Sequence, residues 1–81
     1  MRCTVLPFAH LIDALGSEPI DLDLPDGSTV ADVLQHLAKL HPAIRTLKGR
    51  LAVAINERYA TPATPIPDGS TLALIPPVSG G

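Results

Sequence analysis

Hydrophobic and polar positions change period several times along the chain, and each change marks a new element. Ile20, Leu22 and Leu24 alternate with Asp21 and Asp23, the period of two that buries one face of a strand and leaves the other wet. From Val30 the period lengthens. Val30, Val33, Leu34 and Leu37 recur at helical spacing with Leu40 alongside, while Asp32, Gln35, His36 and Lys39 fall toward the other side. Pro25-Asp26-Gly27-Ser28 is turn chemistry, and Thr29 follows as N-cap with Asp32 three residues on, a shortened capping box. The spacing therefore predicts a helix from Thr29 that Pro42 stops near Leu40 or His41.

The flanking segments read as strands. Residues 1–9 carry apolar and β-branched side chains on both parities, predicting a strand that ends near Ala9. Leu11, Ile12 and Leu15 allow one helical turn with Gly16 as its C-cap. Leu51, Val53 and Ile55 make another strand, Asn56-Glu57 a tight turn, and Arg58 to Ala60 a short partner. Pro62, Pro65 and Pro67 forbid regular pairing before Asp68-Gly69 leads into a last strand, Thr71 to Ile75. Pro76-Pro77 ends it. The order is strand, strand, helix, strand, short strand, strand: an α+β chain in the β-grasp, ubiquitin-like arrangement, with a mixed sheet of about five strands on one main helix. The connection from the second strand through the helix is long enough for a crossover, so a parallel pair is expected in the sheet. Residues 1–77 are expected to form the domain and 78–81 a flexible C-terminal tail.

Composition narrows what such a chain can do. Its 81 residues leave no room for a second domain, so chemistry is local or shared with a partner. Phe8 and Tyr59 are the only aromatics, and the net charge is −2. A surface of that charge with so little to stack on bases argues against nucleic acid as a partner. No apolar run approaches the length of a membrane span, and no secretory leader is visible, so the chain reads as cytoplasmic with no membrane contact. Cys3 alone makes no internal disulfide, and its strand setting is that of a small buried hydrophobe. His10, His36 and His41 do not share a metal-binding spacing, no Ser/His/Asp set assembles, and no phosphate cradle appears. No bound metal or cofactor is expected.

Two features remain. Six acids and no Lys or Arg lie between Asp13 and Asp32, whereas Lys39, Arg45, Lys48 and Arg50 form a stretch without acids; such segregation can steer a partner. The C-terminus, Pro76-Pro77-Val78-Ser79-Gly80-Gly81, combines a stiff exit from a core strand with two residues lacking side chains. Its product is a thin, reachable carboxylate.

Phe8-Ala9 followed by Leu15-Gly16, Leu24 to Val30 entering the helix, Ala54-Ile55-Asn56, Asp68-Gly69-Ser70 and above all Pro76 to Gly81 together resemble the small subunit of molybdopterin synthase, a ubiquitin-like sulfur carrier. The resemblance covers essentially the whole chain. Ile75 departs from it where an aromatic is frequent, and Ile12 where a basic residue is common. The resemblance implies that Gly81 is the reacting residue. An adenylyltransferase related to ubiquitin-activating enzymes uses ATP to make its acyl-adenylate, a sulfur donor enzyme converts that to a thiocarboxylate, and the large subunit of a heterotetrameric synthase receives the tail. There the sulfur builds the dithiolene of molybdopterin on a cyclic pyranopterin precursor. Gly80, Ser79, Val78, Pro77 and Pro76 serve as the thin approach, and Phe8, Leu74 and Ile75 are expected near the partner surface. A thiamine-pathway sulfur carrier shares the Gly-Gly end but usually lacks the double proline. A ubiquitin-like protein modifier or interaction module is a second alternative. An enzyme acting alone fits worst, for want of a nucleophile, base or metal set.

Overall fold

A computed structural model of the chain describes residues 1–9, 11–47 and 49–76, with Ala14 described in its backbone alone. It contains β1 (Arg2–Pro7), α1 (Leu11–Leu15), β2 (Ile20–Asp23), α2 (Val30–Leu40), α3 (Pro42–Leu47), β3 (Ala52–Ile55), β4 (Arg58–Ala60) and β5 (Ser70–Ile75). The strands form one sheet in the order β2-β1-β5-β3-β4. The parallel pair is β1 with β5, and every other neighbour is antiparallel. The crossover through α2 does join strands of like direction, but β1 and β5 lie between them.

Helix α2 forms where its sequence pattern places it. Thr29 holds the extended conformation of an N-cap, its hydroxyl accepts from the Asp32 amide, and the Asp32 carboxylate accepts from the Thr29 amide at 2.9 Å. Two further amides of the first turn are satisfied from outside the helix: Val30 N–H donates to Thr64 and Ala31 N–H to Pro62. The proline-rich loop thus supplies carbonyls to helix donors that have no partner within the helix. Val30, Val33, Leu34 and Leu37 face the sheet and meet Cys3, Val5, Leu22, Val53, Leu72 and Leu74 in one core, joined by Leu11, Ile44 and Ile66.

The structure departs from the sequence pattern in three places. β1 stops at Pro7 instead of Ala9, because Ala9 takes a left-handed conformation (φ 54°) that a strand does not contain. Leu40 is exposed rather than buried, since α2 ends there and the buried Ile44 comes instead from α3. That third helix is absent from the pattern, because Pro42 reads as a stop. Here proline also occupies the first position of a new helix, where its missing N–H costs nothing. The proline loop forms no regular strand, as its prolines require, and makes only the isolated bridge of Pro65 to Thr29.

The pentapeptide Pro-Asp-Gly-Ser-Thr occurs at 25–29 and again at 67–71, and it folds alike both times. Gly27 and Gly69 have φ of 86° and 80°, reached freely only by glycine. In each copy the serine hydroxyl donates to the carbonyl of its own proline, at 2.7 Å and 2.6 Å. Both copies grip the start of β1. Asp26 pairs with the Met1 α-ammonium at 3.0 Å, and Asp68 accepts from the Arg2 amide at 2.7 Å. The hydrogen bond that the Met1 ammonium donates to Asp26 holds its pKa above the ordinary value of 8.0; partial burial opposes this, and the charges of Asp26, Asp68 and Asp23 add to it. A raised folded-state value means stabilisation that is complete below 8.0 and disappears as pH climbs through the folded value. Thermal unfolding of the 81-residue chain should therefore show a stability loss above that pH that shrinks in Asp26→Asn; identical pH slopes for both proteins would count against the contact.

Candidate functional site

The sheet has two unlike faces. Inward positions of β1, Cys3, Val5 and Pro7, pair with Ser70, Leu72 and Leu74 of β5, all buried. The outward positions alternate with them, and Leu6 stands beside Ala73, Ala73 beside Ala54, and Ala54 beside Tyr59. One row across four strands thus carries only apolar or aromatic side chains. A sheet with one face free to solvent ordinarily turns polar residues to water there, so a row of this kind calls for a cover.

Phe8 lies at the head of this row. Its amide continues the parallel ladder by donating to the Leu74 carbonyl at 3.2 Å, and its ring is 47% exposed. Leu6, Phe8, Ala54 and Ala73 line a shallow open depression with Asn56, Glu57 and Thr71 at its polar end. Ala54 and Ala73 form its floor and Phe8 one margin, while Tyr59, 78% exposed, stands beside Ala54 on β4 and lines a separate depression with Ile55, Thr64, Pro65 and Pro67. Ile12 on α1 adds a further exposed apolar side chain. Asn56 fixes the polar end. Asn56 and Glu57 both hold positive φ in the β3–β4 turn, and the Asn56 side-chain oxygen accepts from Thr71 N–H at 3.0 Å while its own amide donates to Thr71 O.

The expected site residues separate accordingly. Phe8 is at the surface, and Ile75 is half-buried on the outward face opposite Ala52. Leu74 is not a surface residue: it is completely buried, because the pleat turns it toward α2 while Ala73 and Ile75 point outward. Leu6, Ala54, Ala73 and Tyr59 do not follow from sequence periodicity. The one signal for them is apolar residues on both parities of the strands. Pro76 is buried where β5 ends. Pro77, Val78, Ser79, Gly80 and Gly81, with His10 and Lys48, lie outside the described residues.

Other chemistry among the described residues is sparse. Cys3 is buried, and burial pushes its thiol pKa up, the Met1 ammonium opposing and Asp21 reinforcing the shift. A thiol held neutral in this way is a poor nucleophile. Among the described residues no cluster of three or more His, Cys, Asp or Glu is arranged to hold a metal ion, and no helix is long and apolar enough to cross a membrane.

The ThiS family model matches residues 5–81. The molybdopterin synthase sulfur carrier subunit of Arabidopsis thaliana is 34% identical over 95% of this chain and 80% of its own length. Among solved structures, SAMP1 from Haloferax volcanii superposes with a TM-score of 0.83 at 31% identity, covering all of both chains. The fold also matches a chain in the complex of subunits 1 and 2 of molybdopterin-converting factor from Helicobacter pylori, with a TM-score of 0.67 at 22% identity and full coverage of both chains. These likenesses agree with the β-grasp topology.

Burial of Cys3 has a direct readout. Its reaction with a small thiol reagent at neutral pH should be at least about tenfold slower in the folded protein than in denaturant, where the same thiol is free. Equal rates would place the thiol in solvent.

Proposed function

Because the chain belongs to the ThiS family, we propose that it is the sulfur-carrier subunit of a molybdopterin synthase, acting through the carboxylate of Gly81. The observation that carries this reading is the 34% identity to a named sulfur carrier subunit over 95% of the chain, in a sequence that closes on Pro-Pro-Val-Ser-Gly-Gly. In such a chain the domain is a handle and the terminus is the reagent.

The chemistry arises from what a carboxylate lacks. It is a poor electrophile, so its oxygen first attacks the α-phosphorus of ATP in a ubiquitin-activating-enzyme-like adenylyltransferase, releasing pyrophosphate and leaving a mixed anhydride. Sulfide-level sulfur delivered by a donor enzyme then adds to the acyl carbon, the bond to the phosphate breaks with loss of AMP, and the thiocarboxylate that results is a strong nucleophile near neutral pH. In the large subunit this sulfur attacks the cyclic pyranopterin precursor toward the dithiolene of molybdopterin. Gly80 and Gly81 pass where a side chain would clash, and a narrow channel holds the reacting atom in place. The chain itself binds no cofactor in this scheme, ATP being a substrate of the adenylyltransferase, and the cytoplasm is its place of work.

The outer face serves as the docking surface. Phe8 and Tyr59 flank an alanine floor, the arrangement of aromatic anchors around a flat apolar centre that suits protein contacts. Ile75, outward at the end of β5, extends it.

A second reading, that of a protein modifier, draws on the sequence and fold likeness to small archaeal modifier protein 1 of Haloferax volcanii. Lysine-linked adducts ending in this chain would favour it.

Intact mass after incubation with ATP, adenylyltransferase and sulfur donor should show one oxygen replaced by sulfur, located by fragmentation at Gly81. A chain lacking Gly81 should fold normally and transfer no sulfur; dithiolene formation at the full rate by that variant would refute the proposal. Ala73→Glu places a charge in the centre of the outer face and should weaken binding to the large subunit about tenfold or more with the circular dichroism spectrum unchanged. Undiminished affinity would remove this face from the interface.

A further inference from the structure

Glu57 stands where the backbone would be most at ease with glycine. Ile55 of β3 pairs with Arg58 of β4, so Asn56 and Glu57 are the two residues of the connecting turn, and both have positive φ, 48° and 73°. Hairpin turns with positive φ at both positions favour Asn followed by Gly. Asn56 suits the first position: asparagine tolerates left-handed backbone, and its two bonds to Thr71 tie the turn to β5. Glu57 has no such compensation. It is exposed, and its carboxylate takes part in no ion pair among the described residues. Backbone strain that the surrounding structure holds in place points to a use for the side chain that bears it.

That side chain lines the polar end of the depression whose apolar part is Leu6, Phe8, Ala54 and Ala73. Among the described residues no Lys or Arg lines the same depression; Arg58, next in the chain, lines the other one with Tyr59 and Pro65. A partner that covered this surface with apolar side chains alone would strip water from the carboxylate and leave it unpaired, at a large cost. One chemistry satisfies both ends. Ala54 and Asn56 are two residues apart along the chain, ~7 Å at ~3.4 Å per residue, about the reach of a lysine or arginine side chain, which lays its stem on apolar surface and carries its charge at the tip.

We propose that this depression seats one long basic side chain of the molybdopterin synthase large subunit, its stem on Ala54 and Ala73 and its cation against Glu57. The proposal rests on the sulfur-carrier reading. It gives the docked pair a direction: burial of an alanine floor is indifferent to rotation about the sheet normal, whereas a single charge pair at one end of the floor fixes the register of the two surfaces. Asn56 is then a positioning residue, holding the turn that presents the carboxylate.

The test is equilibrium binding of the full chain to the large subunit encoded by the same organism, with the melting temperature of each variant measured alongside. Glu57→Gln should weaken binding about fivefold, and Glu57→Lys about fiftyfold or more at about 50 mM salt, the gap narrowing by about 500 mM. Glu57→Gly separates docking from folding: it should bind as weakly as Glu57→Gln yet melt at the unaltered temperature or up to about 5 °C higher, because glycine relieves the turn. Glu18→Lys makes the same change of charge between α1 and β2, at the sheet edge opposite β4, and should stay within about twofold. If Glu57→Lys binds as well as the unaltered chain, or better, while Ala73→Glu still loses binding, the basic side chain is overturned and the sulfur-carrier reading stands. A Glu57→Gly chain that binds at full affinity overturns it too, as does one that loses binding together with melting temperature, since Glu57 would then serve the fold alone. Failure of the unaltered chain to bind the large subunit at any salt overturns the reading itself, and this seat with it.

Discussion

Parallel pairing of β1 with β5 is the constraint on which the rest of the molecule depends. The two strands sit at the centre of the sheet, and their shared direction brings the end of β1 and the end of β5 to the same edge. Phe8 and Ile75 are consequently neighbours in space although most of the chain separates them. A parallel pair also needs a long connection. Everything between β1 and β5 is that connection: β2 and β3 flank the pair, α2 covers its inner face, and α3 returns the chain to the edge where β3 begins. The same constraint places Met1 and both Pro-Asp-Gly-Ser-Thr turns at the opposite edge, where Asp26 and Asp68 clasp the first two residues.

Elements whose signals are local were legible in the sequence. Thr29 and Asp32 specify a helix start within one turn, and the alternation from Ile20 to Leu24 needs no information from elsewhere. Identical pentapeptides forming identical turns show how far such encoding goes: glycine with positive φ and a serine bonding to its own proline are properties of the segment. The order of elements, with the Gly-Gly end, carried the family.

The elements that were not legible depend on neighbours distant in sequence. Pro42 both closes α2 and opens α3, and the second role is set by the space that the core offers Ile44, which no local signal reveals. Leu74 and Ala73 are adjacent apolar residues in one strand, so composition cannot tell which points inward; the partners on β1 and β3 decide it. Tyr59 reads as half of a short strand, and only its position beside Ala54 makes it the margin of an apolar surface. The proposed reacting end of the chain is legible only as a motif.

The buried Pro76 has a mechanical meaning. β5 is held by β1 on one side and β3 on the other, with both ladders running along the strand. A partner that draws on the tail therefore loads these hydrogen bonds in shear, all of them sharing the force, instead of peeling them one after another from an edge. In the proposed sulfur carrier, a tail that is gripped and withdrawn is thus rooted in a strand held on both sides, as β1 and β3 also are, and not at an edge of the sheet.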